Sequence, residues 1–170
     1  MSTAGKLNKQ AGFTLLELAV VVLLIALFTG LSIPLLGRLG DSGLDSSARR
    51  LAGTVKYLFN EAALSGRPYR LTYNLAQGTY RAARLETSGE LTAEGGIVRE
   101  QRLKGDTRFR DLVVGGRGTV SDGEVTTEIL PIGWMEETTI HLDDGADQVL
   151  TLHINPFTGA TEVYQGYREF

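Results

Sequence analysis

Two histidines, a cluster of aspartates and one glutamate inside an apolar run are the residues through which this chain could do chemistry. His141 and His153 fall in the alternating stretches "TTIHL" and "VLTLHI". Opposed on one sheet face they could pair with an acid for proton transfer or hold a metal, although strand histidines more often pack or face solvent. Asp143, Asp144 and Asp147 in "DDGADQ" offer oxygen ligands suited to calcium. Their spacing departs from the EF-hand loop and lacks its closing glutamate, so a solvated hairpin turn is expected. "GGRG" (Gly115–Gly118) is not followed by Lys-Ser/Thr and reads as a loop, not a phosphate cradle. Ser42, Ser46, Ser47, Ser65, Ser88 and Ser121 lack the G-x-S-x-G setting of a hydrolase nucleophile. The chain has no cysteine, which removes disulfides, thiolate metal sites and thiol nucleophiles. No catalytic residue, metal or cofactor is expected, and the chain is read as a non-enzyme.

The informative residue is Glu17. It opens the run "GFTLLELAVVVLLIALFTGLSIP" (Gly12–Pro34), after which Leu18–Leu36 contains no charge over 19 residues. A helix of that length spans roughly the hydrocarbon core of a bilayer. Lys6 and Lys9 place its start in the cytoplasm by the positive-inside rule, with everything after Pro34 beyond the inner membrane. Pro34 is expected to kink the helix. A cleaved secretory signal fits less well, because the apolar core is longer, begins with an acid and lacks a small-residue cleavage site. A carboxylate at the centre of a membrane helix costs about 2.5–3.5 kcal/mol. The helix dipole returns only about 0.3–1 kcal/mol, so Glu17 needs a partner. Were the chain cut between Gly12 and Phe13, the new α-amine of Phe13 would sit one turn before Glu17. That pair could form within one chain or between neighbours, where it would fix the stagger of otherwise featureless apolar helices.

Composition sets the remaining bounds. Seventeen basic against 20 acidic side chains give a formal charge of −3. Lys6 and Lys9 are the only charges in residues 1–12, so the remainder is more acidic, with 15 basic against 20 acidic side chains. Such a body argues against nucleic acid as a partner. The closing stretch "YQGYREF" carries Tyr164, Tyr167 and Phe170, rings on which bases could stack. It has only Arg168, beside Glu169, as a cation, so a packed or interfacial end is expected.

The elements that must position these residues follow from hydrophobic period. After the break "GRLGDSG" (Gly37–Gly43), Leu44, Ala48, Leu51, Ala52, Val55, Leu58, Phe59, Ala62 and Ala63 recur every three or four residues. They predict one helix face, with Arg49, Arg50, Lys56, Asn60 and Glu61 largely opposite, stopped by Ser65, Gly66 and Pro68. From Tyr69 the period becomes two. "YRLTYNL" and "TYRAARLE" around "AQG" predict a hairpin. "GIVREQRL", "RFRDLVV", "EVTTEIL", "TTIHL", "VLTLHI" and "TEVYQ" predict further strands, with "SGELTAEGG" and "GGRGTVSDG" as loops. The layout is α+β: a long N-terminal hydrophobic helix, with a transmembrane half and an amphipathic half, packed on a C-terminal antiparallel β-sheet head.

The N-terminal stretch "KLNKQAGFTLLELAVVVLLIALFTGLSIP" resembles the type IV pilin and pseudopilin superfamily. A short basic leader ends in Gly12, Phe13 follows, an acid stands fifth after the cut and a proline twenty-second. The resemblance implies cleavage after Gly12 by prepilin peptidase, N-methylation of Phe13, and a registry role in assembly for Glu17. The domains then read as leader 1–12, transmembrane and filament-core helix 13–36, linker and amphipathic helix 37–68, and periplasmic β-rich head 69–170. "ILPIGWMEETTIHLDDGADQVLTLHINPFTGATEVY", with turns at Pro131-Ile132-Gly133 and Thr158-Gly159, is similar to the end of the H-type pseudopilin and FimT-like group. This implies a structural minor pseudopilin of type II secretion, anchored in the bacterial inner membrane and assembled into the tip of a periplasmic pseudopilus that drives export of folded proteins. The implied partners are other pseudopilins through helix packing, the peptidase, the membrane and the secretion platform, with contact to an exported protein left open. The alternative is a FimT- or FimU-like minor pilin of a type IV pilus, a group in which some members bind DNA.

Overall fold

A computed structural model describes residues 15–36, 43–85, 91–93 and 99–170, with side chains described for 15–28, 43–85 and 99–170. The chain divides into two compact units, Met1–Gly40 and Asp41–Phe170. In the first, helix α1 (Leu15–Leu36) is apolar all round: its large apolar side chains from Leu15 to Phe28 are between 47% and 86% exposed. Its 22 residues give a length of about 33 Å. The helix runs through Gly30 and Pro34 to Leu36, so the proline does not end it.

The second unit is built on α2 (Gly43–Ser65), whose Leu44, Ala48, Leu51, Val55, Leu58, Phe59 and Ala62 are buried. The stripe is narrower than the sequence period predicts, because Ala52 is half-buried and Ala63 exposed. Two hydroxyls widen it instead. Ser47 is buried and accepts the Lys104 N–H at 2.8 Å, and Thr54 is buried and donates to the Arg50 carbonyl at 3.0 Å. The helix ends where Gly66 turns to φ 66° and donates to the Ala62 carbonyl.

Where one sheet is expected, the head has two. The first has the order β3-β2-β1-β7-β8, formed by β1 (Tyr69–Asn74), β2 (Thr79–Leu85), β3 (Leu91–Ala93), β7 (Glu124–Leu130) and β8 (Trp134–Met135), with β4 (Gln101–Arg102) also on β2. The second has the order β11-β10-β9-β5-β6, from β5 (Arg108–Val114), β6 (Gly118–Val120), β9 (Thr138–Asp143), β10 (Val149–Ile154) and β11 (Thr161–Gln165). Helix α2 packs against strands of both. Every pairing is antiparallel. The predicted strand at "GIVREQRL" reduces to Gln101–Arg102 among the described residues. Two predicted loops instead hold the short arms β3 and β6.

The sheets share one core. Leu71, Tyr73 and Ile129 from the first and Leu112, Ile140, Leu142, Leu150, Leu152 and Ile154 from the second are essentially inaccessible. The rings of Tyr73 and Phe109 meet edge to face at 5.9 Å, and the Thr127 and Thr138 hydroxyls lie 3.1 Å apart, both joining one sheet to the other. Gly159, in the turn before β11, has φ 61°, and a Cβ there would stand 2.5 Å from Phe59 Cγ. Only glycine both adopts that backbone and lets the turn close on α2.

Burial raises the Tyr73 and Tyr80 phenols above their ordinary 10.0. Each therefore holds its proton more tightly folded than unfolded. Below about pH 10 both states are protonated and nothing is gained or lost; above it the unfolded chain releases protons first and stability falls. Urea unfolding from pH 8 to 11 should show a plateau, then a decline of up to about 1.4 kcal/mol per pH unit for each such tyrosine. Tyr73→Phe should shallow that decline; an unchanged slope would remove Tyr73 as its source.

Candidate functional site

Glu17 lies in the first turn of α1, flanked by Leu16 and Leu18. The sequence from Leu18 onward supplies no second charge within the helix, so the carboxylate is the one charge of a largely apolar cylinder. A helix apolar on every side has no single face to turn toward a core and is suited to lipid or to other helices. Among the described residues no helix is long and apolar enough to cross a membrane, the described side chains of α1 stopping at Phe28. Gly12 and Phe13, the expected cleavage and methylation site, lie outside the described residues.

In the head, His141 does find an acid. Its Nδ1 lies 2.6 Å from Asp111 Oδ1 and its Nε2 lies 2.8 Å from the Arg168 carbonyl, with the ring fully buried. A β-bulge makes the pair. Strict alternation from Phe109, which is in the core, would send Asp111 to the core as well. The register of β5 on β9 shifts between Phe109 and Asp111, which turns Asp111 outward to face His141 and returns Leu112 and Val114 to the core. Each ring nitrogen thus meets an oxygen, a carboxylate on one side and a backbone carbonyl on the other. The Tyr167 ring stacks on the imidazole at 3.9 Å. With both nitrogens engaged and a ring above, His141 is not placed to meet a substrate or metal. His153 Nδ1 lies 3.1 Å from the Thr139 hydroxyl, and its ring stacks on Phe170 at 4.2 Å.

Asp143 and Asp144 of the aspartate cluster are engaged by their own turn and by Arg108 of β5. Asp143 Oδ1 accepts from Arg108 Nε at 2.6 Å and from Gly145 N, while Asp144 Oδ1 accepts from the N–H groups of Ala146 and Gln148. Among the described residues no group of three or more acids and histidines is placed to hold a metal ion. The Arg168 guanidinium lies 4.6 Å over the Tyr164 ring, so this aromatic stretch packs on its own sheet. Sequence reasoning missed Asp111 as the partner of His141 and Thr151 as the residue that holds the tail's main chain. The misfit in "RFRDLVV", where Phe109 and Leu112 cannot share a face without an extra residue, was the available signal for Asp111.

Residues 7–33 match the prokaryotic N-terminal methylation motif. Over 81 residues, 47% of this chain and 46% of the relative, the sequence is 41% identical to type II secretion system protein H of Pseudomonas aeruginosa. The match thus spans about half the length of that curated relative. The fold is similar to two structures of the minor pseudopilin EpsH from the type II secretion system of Vibrio cholerae. One gives a TM-score of 0.61 at 15% identity, covering 76% of this chain and 99% of that one. The other gives 0.59 at 14%, covering 73% and 98%. An apolar N-terminal helix bearing the methylation motif thus precedes an α+β head of the EpsH form. The chain is similar to type II secretion system protein H over that stretch, carries the N-terminal methylation motif, and shares the fold of the EpsH head.

Replacing Asp111 with alanine leaves a buried imidazole N–H without an acceptor. Asp111→Ala should lower head stability by about 1–3 kcal/mol in urea unfolding. A change under about 0.5 kcal/mol, the usual range for surface positions, would mean the pair is dispensable.

Proposed function

We propose that this protein is a structural, non-catalytic minor pseudopilin of a type II secretion system. The observation that carries the reading is the acid placed fifth after Gly12, ahead of a charge-free run, in a chain similar over 81 residues to protein H. In this reading Leu18–Leu36 holds the subunit in the inner membrane as a single span, with Lys6 and Lys9 in the cytoplasm and the head in the periplasm. The same apolar surface then packs on neighbouring helices when the subunit enters the pseudopilus near its tip. Pro34 bends the helix where it leaves the bilayer.

Prepilin peptidase removes residues 1–12, and the exposed amine of Phe13, once methylated, keeps a positive charge. Glu17 pairs with that amine on a neighbouring subunit. Against a burial cost of about 2.5–3.5 kcal/mol, a misplaced subunit leaves the carboxylate unpaired, and this penalty selects the axial register. The head meets other pseudopilins and, through them, the secretion platform. Transport of folded proteins is driven by the assembly as a whole.

Glu17→Gln should leave cleavage intact while reducing recovery of the protein in assembled pseudopili at least tenfold, read by immunoblot of the sheared filament fraction. Normal incorporation of the variant would exclude the pairing role. Intact-mass analysis of protein made in a host with prepilin peptidase should give a chain that begins at a methylated Phe13; a retained leader would overturn the processing. Co-purification with other pseudopilins, run beside a DNA mobility shift, tests the filament itself. Retention of DNA without any pseudopilin would replace this reading with that of a DNA-binding minor pilin.

A further inference from the structure

A sheet ends in strands that have one side unpaired, and in this head those strands differ. Among the described residues β3 and β6 have three residues and β4 and β8 two, while β11, at the end of the second sheet, has five. The hydrogen bonds to β10 fix which groups of β11 are left over. The Asn155 N–H donates to the Ala160 carbonyl at 2.9 Å, and the Gly166 N–H to the Val149 carbonyl at 2.8 Å. Both continue the ladder that sets Ile154 against Thr161 and Leu150 against Gln165. Bonded pairs alternate along an antiparallel ladder, so Ala160, Glu162, Tyr164 and Gly166 turn their main-chain groups toward β10. Thr161, Val163 and Gln165 turn theirs to the open side, where no described residue bonds them.

The side chains tell the same story. Val163 stands opposite Leu152, on the side of the sheet that faces the core. Leu152 is inaccessible, yet Val163 is 47% exposed, because the sheet stops one strand short of covering it. Edges are commonly blunted by lysine, proline or a bulge. The strand "TEVYQ" has neither residue, and its pairing with β10 is unbroken. The edge is open as it stands, so nothing in the head has to move for a strand to be added. A row of free N–H and C=O groups at this spacing is matched by one kind of partner, the main chain of another extended strand.

We propose that β11 is a strand-addition edge and that its occupant is β11 of a second copy, laid antiparallel. The strand is complementary to itself, and its free groups select the alignment. Pairing all five residues sets Val163 against the second copy's Val163 and Thr161 against its Gln165, so every free position meets a free position. In that register Glu162, the one charged residue of the strand, lies across from the second copy's Tyr164. The carboxylate therefore meets a hydroxyl and not its own image, which would repel it. The two half-exposed valines cover each other, and one contact closes both edges, as a two-fold interface does. A single strand pair is small beside the roughly 1,200–2,000 Å² of a stable complex, so the association is reversible and forms where copies are concentrated.

Because the chain has no cysteine, the register can be read by disulfide trapping. Opposed Cα atoms of a bonded antiparallel pair lie about 5.5 Å apart, within the range a disulfide spans. Full-length Val163→Cys, mildly oxidised in detergent, should form a linked dimer at least tenfold faster than Thr161→Cys or Gln165→Cys alone. Each of those lies about 14 Å from its own image. An equal mixture of the two should link to each other as fast as Val163→Cys links to itself. Association through α1, or random encounter, would link all three positions at similar rates and overturn the proposal. A Val163→Cys chain that stays monomeric would do the same, and rapid linking of Thr161→Cys to itself would mean a parallel pair and also refute it. Proline at 165 removes an edge-facing N–H and leaves the ladder to β10 intact. Val163→Cys/Gln165→Pro, with Trp134 fluorescence unchanged, should link at least tenfold more slowly than Val163→Cys. An undiminished rate would show that the main-chain edge is not what brings the copies together.

Discussion

The head depends on a single stripe of side chains along α2. Leu51, Val55 and Leu58 are wholly withdrawn from water, and they are so because two sheets, not one, close on the helix. Each sheet alone would leave part of that stripe wet, and at about 25 cal/mol per Å² the exposed area would remove the main reason for the helix to dock. Other contacts depend on this shared burial. The Tyr73–Phe109 ring contact and the Thr127–Thr138 hydroxyl pair form because the helix holds both inner faces within reach of each other. The glycine at 159 is needed because the last turn must come down directly on Phe59.

Two carboxylates, Glu17 and Asp111, show how the surroundings decide what a charge does. Asp111 is buried beside a histidine that the same sheet supplies, so its demand for a partner is met inside the head. Glu17 is the single charge from Leu15 to Leu36, and in the reading proposed above it answers to a neighbouring subunit at assembly. An internal pair holds a fold together. In the proposed reading, a carboxylate on an apolar helix instead ties the subunit to its neighbours.

Much of this was legible in the sequence, for physical reasons that also mark where legibility stops. The α2 stripe and seven of the strands announce themselves because burial imposes a period, and period survives in a single sequence. The turns at Gly133 and Gly159 were placed by the resemblance, and both glycines take the positive φ that few other residues adopt. The split into two sheets could not be read, since alternation tells which way a side chain points but not which sheet receives it. The arms β3 and β6 hid in glycine-rich stretches, where short pairing leaves almost no compositional trace. His141 was recognisable as a candidate, but its acid stands 30 positions earlier in the chain, and only the fold brings the two together. The tail's aromatics were expected to pack, though not that two histidines would receive them.

The bulge at Arg110 has a consequence beyond the pair it creates. A β-strand is a two-valued counter, and each residue inserted or removed reverses the facing of everything beyond it. The extra residue between Phe109 and Asp111 is one such reversal, fixed in place by a carboxylate that must look outward and by leucine and valine that must look in. Length changes in this strand are therefore constrained by parity. A two-residue change preserves the facing of every later position, whereas a single deletion drives a charge into the core and a leucine into water. The strand can drift in composition far more freely than it can drift by one.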